Sequence, residues 1–366
     1  MFKKGISAYV GMEHSLADNI AYLHMASKYG YSLLFTSLHV PEASAEDILR
    51  DFGEFTRSAK AIGYRIIADI SPSAFKMLGA SMADLEPLRA FSVDVWRFDF
   101  GFSFKEIACF SENGQFNIQI NASTIDKRAL KQLLRTRIRA HNIESCHNFY
   151  PREETGLSFE LFCKRSVEFR KQGIPVYAFV PSRDNPRGPI YAGLPTLEQH
   201  REISSLIAAK HLLATGLCNG VIFGDSFVPE AELKAVGELS NDCVQLKCKF
   251  AANASPIERS IVLAPKHTNR TDPGRYCLRS EESRGLYNLE NDRQVIEPNN
   301  TGKRLHGSIT LDNSGYGRYM GELQLITHEM AADQRVNVVA QVVDEELFLV
   351  DMIKPGQAFA FVEIGN

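Results

Sequence analysis

VWRFDFGF occupies residues 95–102. Bulky residues lead into Arg97 and Asp99, and Gly101 then breaks the run. Arg97 and Asp99 are two positions apart, so on a strand both side chains point to the same side. A short apolar run that closes on a charged pair at a turn reads as a buried strand with a polar end. Seven further short apolar runs precede residue 227, and nearly every run ends in a polar residue at a turn: GISAYV (5–10), SLLFTSL (32–38), YRIIADIS (64–71), NIQINAS (117–123), SCHNFYP (145–151), PVYAFVP (175–181) and GVIFGDS (220–226). Helix-like stretches lie between them. Strand and helix alternating eight times before residue 227 predict an α/β chain that begins with a (β/α)8 TIM barrel. Such barrels carry their sites in the loops after the strands. That rule selects the polar residues to read: Tyr9, Thr36, Asp69, Asp99, Asn121, His147, Asn148, Glu154, Arg187 and Asp225.

The intervening segments carry helix signals. Ser15 with Asp18 opens the first helix, Leu16, Ile20 and Leu23 share a face, and Gly30 closes it. Thr196 with Gln199 reads as a capping box that continues through Ile203, Leu206 and Ile207. Pro229 and Glu230 start a last helix that runs to about Leu239. From Cys243 the character changes to short alternating runs: CVQLKCKF, SIVLAP, GRYCLRS, GSITLDN, ELQLITHEM, RVNVVAQVV, LFLVDMI and AFAFVEI. These predict a small all-β, barrel-like domain over 243–366 after a barrel over 1–242, with Arg284 to Gly302 as a loop.

Composition narrows the classes. The 366 residues hold one barrel and a smaller domain, and a hydrophobic fraction of 44% suffices for buried cores. A net charge of -3 gives no global field for nucleic acid or an anionic membrane. Seven scattered Cys without a CxxC pair fit a reducing compartment. No apolar run is long enough to span a bilayer, and MFKKGISAYVGMEHSLADN reads as a first strand, not a signal peptide. The expected location is therefore cytoplasmic. His residues show no HxH or HExxH spacing, and nucleotide-loop motifs are missing, so no metal and no cofactor is expected.

The acids at strand ends suggest hydrolysis. Asp69, Asp99, Glu154 and Asp225 each follow an expected strand. Two carboxyls across a pocket can cleave a glycosidic bond: one protonates the leaving oxygen, the other attacks or activates water. The bland alternatives are a helix cap, or a buried ion pair between Asp99 and Arg97. The loop PSRDNPRGPIYAGLP (181–195) places Arg183 and Arg187 after the seventh strand, where barrels commonly hold phosphate. Arginine's planar fork suits phosphate or carboxylate, although both could be solvated. Tyr9, Tyr150 and Tyr191 could stack on a sugar ring. In the second domain Arg270, Arg275, Arg279 and Arg284 lie close in sequence, and Arg279 and Arg284 could instead pair with Glu281 and Glu282.

Three long blocks add a family resemblance. HNFYPREETGL (147–157), RGPIYAGLPTLEQHR (187–201) and GSITLDNSGYGRYMGELQL (307–325), with FTSL (35–38) and NAST (121–124), make the chain similar to the bacterial 6-phospho-N-acetylmuramidase family. The resemblance implies a barrel followed by a cyclophilin-like β domain. It also implies a glycoside hydrolase of peptidoglycan recycling. The expected partner is a small phosphorylated amino-sugar disaccharide, N-acetylmuramic acid 6-phosphate linked to N-acetylglucosamine, with neither nucleic acid nor membrane. A homo-oligomer is compatible with the sequence.

The acid and its partner are expected within Asp99, Glu154 and Asp225. Tyr9, Asp69, Arg97, Asn121, His147, Asn148, Arg187 and Tyr191 are expected to bind substrate, with Arg275 first and Arg279 second from the β domain. Two other readings remain at this stage: a phosphosugar lyase or isomerase, and a non-catalytic phosphosugar-binding regulator. The lack of a strand-end lysine argues against Schiff-base chemistry.

Overall fold

Eight parallel strands close on themselves: β1 (Lys3–Ser7), β2 (Leu33–Ser37), β3 (Arg65–Ile70), β4 (Val95–Phe98), β5 (Asn117–Asn121), β6 (Ile143–Cys146), β7 (Val176–Val180) and β8 (Gly220–Phe223). β1 pairs with both β2 and β8, which completes the ring. This computed structural model describes residues 2–38, 45–112, 116–136, 138, 140–290 and 294–365.

Side-chain alternation sorts the barrel into two cores. Leu33, Phe35, Ile67, Val95, Tyr177, Phe179 and Ile222 belong to one cluster, inside the ring. Leu34, Ile66, Ala68, Trp96 and Phe98, of opposite parity on the same strands, belong to the larger cluster under the helices. Arg97 shares the parity of Val95 and Asp69 that of Ile67, so both point inward at the strand ends. The β3–β4 register sets them directly beside each other. Gly5 lets the inner layer close, because a Cβ there would sit 2.8 Å from Leu33 Cβ.

The helices are α1 (Leu16–Ser27), α2 (Ala45–Ile62), α3 (Pro72–Met77), α4 (Phe104–Glu112), α5 (Lys127–Leu134), α6 (Phe159–Lys171), α7 (Ser205–Ala214) and α8 (Glu230–Gly237). The Ser15–Asp18 capping box forms at α1, and Gly30 takes positive φ beyond its end. The box expected at Thr196 does not form. Thr196 Oγ1 instead accepts from Phe179 N–H and donates to Asn148 O, and only a 3-10 turn, Glu198–His200, precedes α7.

The chain divides into two compact units, Met1–Leu213 with Leu217–Leu239, and Ser240–Asn366 with Ala214–Gly216. The second is built on a seven-stranded sheet of β9 (Val244–Phe250), β10 (His267–Thr268), β11 (Cys277–Arg279), β12 (Ser308–Asp312), β13 (Leu323–Ile326), β14 (Val336–Val342) and β15 (Ala358–Glu363). Its order is β10-β15-β9-β14-β12-β13-β11. It is not purely β. The runs SIVLAP and LFLVDMI fall in helices, α9 (Pro256–Val262) and a last turn at Leu347–Val350. α9 has a complete Ser255–Glu258 capping box with Pro256 at its first turn, which outweighs the β-branched run. The expected loop after Arg284 contains α10 (Ser283–Glu290). Tertiary contacts hold it: Ser283 Oγ accepts from Leu323 N–H, and buried Tyr287 donates to Gln294 O.

Candidate active site

The β3 and β4 ends build a charged centre around one guanidinium. Arg97 is buried, with Nη1 3.1 Å from Asp69 Oδ1 and Nη2 3.2 Å from Asp99 Oδ1, and it also donates to Asn148 Oδ1. Burial works against its charge, but the two carboxylates more than offset this and its pKa is raised. Asn121, at the end of β5, donates to Asp99 Oδ1 at 2.6 Å. Asn121 Oδ1 in turn accepts from Ser123 N–H at 2.8 Å. Asp99 is thereby fixed from two sides, the preorganisation that a reacting carboxylate needs.

Above this centre lies a cavity of ≈ 280 Å³. Asp69 and Asp99 line it, with Tyr9, Phe35, Phe149, Arg187, Ser37, Ser71, Ile70, Met12 and Phe100. Arg187 is the cation among these residues. Its guanidinium lies 4.5 Å from the Tyr9 ring centre and 5.6 Å from that of Phe149. Its Nε is buried without a hydrogen-bond acceptor among the described residues. Burial is the main cause that raises the Tyr9 phenol pKa.

Two devices hold the loops that carry these groups. The Asp225 carboxylate is fully buried and accepts backbone N–H groups of Ser182 (2.8 Å), Arg187 (2.8 Å) and Leu194 (3.1 Å). Burial pushes its carboxyl up from the usual range while the three donors pull it back. The second device is Glu198 with buried Arg201. Glu198 accepts from Glu154 N–H (2.9 Å) and Gly156 N–H (2.6 Å) after β6. Arg201 grips Glu198 side-on at 2.7 and 2.9 Å. It also donates to carbonyls of Tyr150 and Arg152 after β6, and of Ala192 and Gly193 after β7. The Arg201 contact lowers the Glu198 pKa to about 2.

The expected residues thus separate. Tyr9, Asp69, Asp99 and Arg187 meet at one cavity, with Arg97, Asn121 and Asn148 bonded around the acids. Of the three acids expected to share the chemistry, only Asp99 lines that cavity. Asp225 is enclosed under the loop after β7. Glu154 is exposed in a separate surface cleft with Arg152, Glu153, Glu198, Arg201 and Glu202. His147 turns away from the centre. It bonds Ser123 Oγ and, through Nε2, Ser166 Oγ of α6, and burial lowers its pKa to about 3. Thr36 is buried, and Tyr191 is exposed on the β7 loop. In the second unit Arg275 is exposed and stacks on Tyr276 at 5.2 Å. Arg279 pairs with Asp272 and Glu322, and Arg284 with Glu322, in place of the expected Glu281 and Glu282. Arg270 pairs with Asp272.

Met12, Ser37 and Ser71 also line the cavity, and the Glu198–Arg201 clamp holds the loops, although none of these is among the residues selected at the strand ends. Glu198 and Arg201 stand at i, i+3 inside a quoted block, a spacing that could have shown the pair. Among the described residues no group of three His, Cys, Asp or Glu side chains is placed to hold a metal. No helix among them is long and apolar enough to cross a membrane.

A TIM barrel whose mouth presents two carboxyls and an arginine to one cavity has the makings of a glycosidase. Comparison with known proteins makes this specific. Residues 4–238 match the family described as "6-phospho-N-acetylmuramidase, N-terminal", and residues 244–362 match "6-phospho-N-acetylmuramidase, C-terminal". The chain belongs to the 6-phospho-N-acetylmuramidase family, and is a glycosidase. It is similar to the crystal structure of an uncharacterized B. cereus protein, at 33% identity over 99% of this chain and 100% of that one, with a TM-score of 0.86. It is also similar to a conserved Enterococcus faecalis protein of unknown function, at 33% identity over 99% and 97% of the two chains, with a TM-score of 0.69. No curated protein matches it.

Proposed function

We propose that this glycosidase cleaves N-acetylmuramic acid 6-phosphate from N-acetylglucosamine, in the cytoplasm, during peptidoglycan recycling. The observation that carries the reading is the shared cavity: Asp69 and Asp99 flank Arg97 at its floor, and Arg187 lies in its wall. The substrate offers a glycosidic oxygen to the acids and two anions, a lactyl carboxylate and a phosphate, to arginine. Asp99, fixed by Arg97 and Asn121, and Asp69 act as the acid and its nucleophile or base. This assignment replaces Glu154 and Asp225, whose carboxylates lie outside the cavity wall. Arg187 reads one anion, oriented by the Tyr9 and Phe149 rings.

The test offers the pure protein the disaccharide with and without its phosphate and measures released N-acetylglucosamine. Faster release from the phosphorylated form supports the reading, and no release from either overturns it.

A further inference from the structure

Among the described residues the barrel unit leaves four large apolar side chains open to solvent: Met12, Phe100, Ile190 and Tyr191, with exposures of 47%, 57%, 47% and 61%. Single exposed apolar residues need no explanation, but a group confined to one place does. All four stand on loops that follow strands, Met12 after β1, Phe100 after β4, and Ile190 and Tyr191 after β7. They therefore rim the mouth. Met12 and Phe100 also line the cavity itself, so the rim is continuous with the site.

Tyr191 is held there by its surroundings. Its backbone has φ +59°, a region that large L-residues seldom occupy. Its N–H donates to Arg187 O at 3.3 Å, tying it to the residue that supplies the cavity's cation. Its ring lies over Gly188: a Cβ built there would be 3.0 Å from Tyr191 Cζ and 3.5 Å from Glu13 Oε1. The ring and the Glu13 carboxylate thus meet at one glycine, next to Met12.

Size decides what the rim is for. Clefts that enclose a whole drug-sized ligand run from about 300 to 1,000 Å³. A cavity of ≈ 280 Å³ suits one substituted sugar ring, not two. The second ring of a disaccharide has to rest outside. A pyranose has a face of C–H groups, which suits an aromatic or thioether surface, and hydroxyls at its edge, which suit a carboxylate acceptor such as Glu13. Resting on the glycosidase reading above, we infer that Met12, Phe100 and Tyr191 form the subsite for the leaving sugar. They take its apolar face while the phosphorylated ring fills the cavity.

The experiment compares two substrates that share the phosphorylated sugar. One is the disaccharide; the other is the glycosyl fluoride, whose leaving group is a single atom. Phe100→Ala, and Tyr191→Asn, chosen because asparagine tolerates positive φ, should each lower kcat/KM on the disaccharide roughly 10- to 100-fold, the range that the contact area of one ring supports. Tyr191→Asn, which lies outside the cavity wall, should leave turnover of the fluoride unchanged; Phe100 also lines the cavity, so its variant is read on the disaccharide alone. An unchanged disaccharide rate in either variant, or an equal fall on both substrates in Tyr191→Asn, overturns the subsite. If the wild type cleaves neither substrate, the glycosidase reading has failed, and calorimetry then judges the subsite alone. Wild type should bind the phosphorylated disaccharide more tightly than the phosphorylated monosaccharide, and the Tyr191→Asn protein should lose that difference. A difference kept in the variant, or missing in the wild type, overturns it.

Discussion

Replacing Asp225 with asparagine separates a strut from a catalytic acid. The Asp225 carboxylate accepts three backbone N–H groups, those of Ser182 and Leu194 at Oδ2 and that of Arg187 at Oδ1. An asparagine has one oxygen and one NH2 group, so some N–H must face a donor. The cheaper orientation keeps the oxygen on Ser182 and Leu194 and leaves the Arg187 N–H unsatisfied. One buried unsatisfied donor costs about 1–3 kcal/mol. At roughly 2–4 °C per kcal/mol for a domain of this size, Tm should fall by about 2–12 °C. The loosened bond is the one that seats Arg187, so activity should fall mainly through KM. A lost acid or base would instead cost roughly 10²–10⁴-fold in kcat. Scanning calorimetry with steady-state kinetics on the phosphorylated disaccharide reads both quantities. An unchanged Tm with a kcat loss of that size would refute the strut and return Asp225 to the chemistry.

Two other outcomes follow from the same contacts. Gly156→Ala should break the Glu198 clamp, because its Cβ would lie 2.5 Å from Glu198 Oε2 and 2.8 Å from Glu198 N; faster amide exchange at Glu154 and Leu157, with β1–β5 unaffected, is the readout, and unchanged exchange there contradicts the clamp. Stability should fall as pH drops from 6.5 toward 4. Burial depresses His147 to about 3 and His211 to about 4, so the unfolded chain takes protons that the folded chain refuses. Each such His costs up to about 1.4 kcal/mol per pH unit in that window. A His147→Gln variant whose stability fell just as steeply over that range would contradict this.

The barrel was legible because each strand carries a run of buried residues with a polar end, and the register then placed Asp69 beside Arg97. Same-side geometry of Arg97 and Asp99 was legible for the same reason. What the sequence did not yield was which acids share a cavity. Asp225 and Glu154 both follow strands, yet one carboxylate is consumed by backbone donors and the other lies in a surface cleft. Those outcomes depend on loop paths, and loop paths depend on long-range partners such as Arg201, which reaches four carbonyls on two loops. His147 looked like a mouth residue because it follows β6, but alternation turns it outward to Ser166. In the second unit, short apolar runs served helices as readily as strands. The Ser255–Glu258 capping box was the sign that marked α9 as a helix.

On the proposed mechanism Asp69 and Asp99 carry the hydrolysis. The most direct measurement is kcat for release of N-acetylglucosamine from the phosphorylated disaccharide by Asp69→Asn and Asp99→Asn, with Tm followed in parallel. Each variant should lose roughly 10²–10⁴-fold in kcat while still unfolding cooperatively. Near wild-type turnover by both folded variants would contradict the account, and would make the carboxylates no more than counter-ions to Arg97.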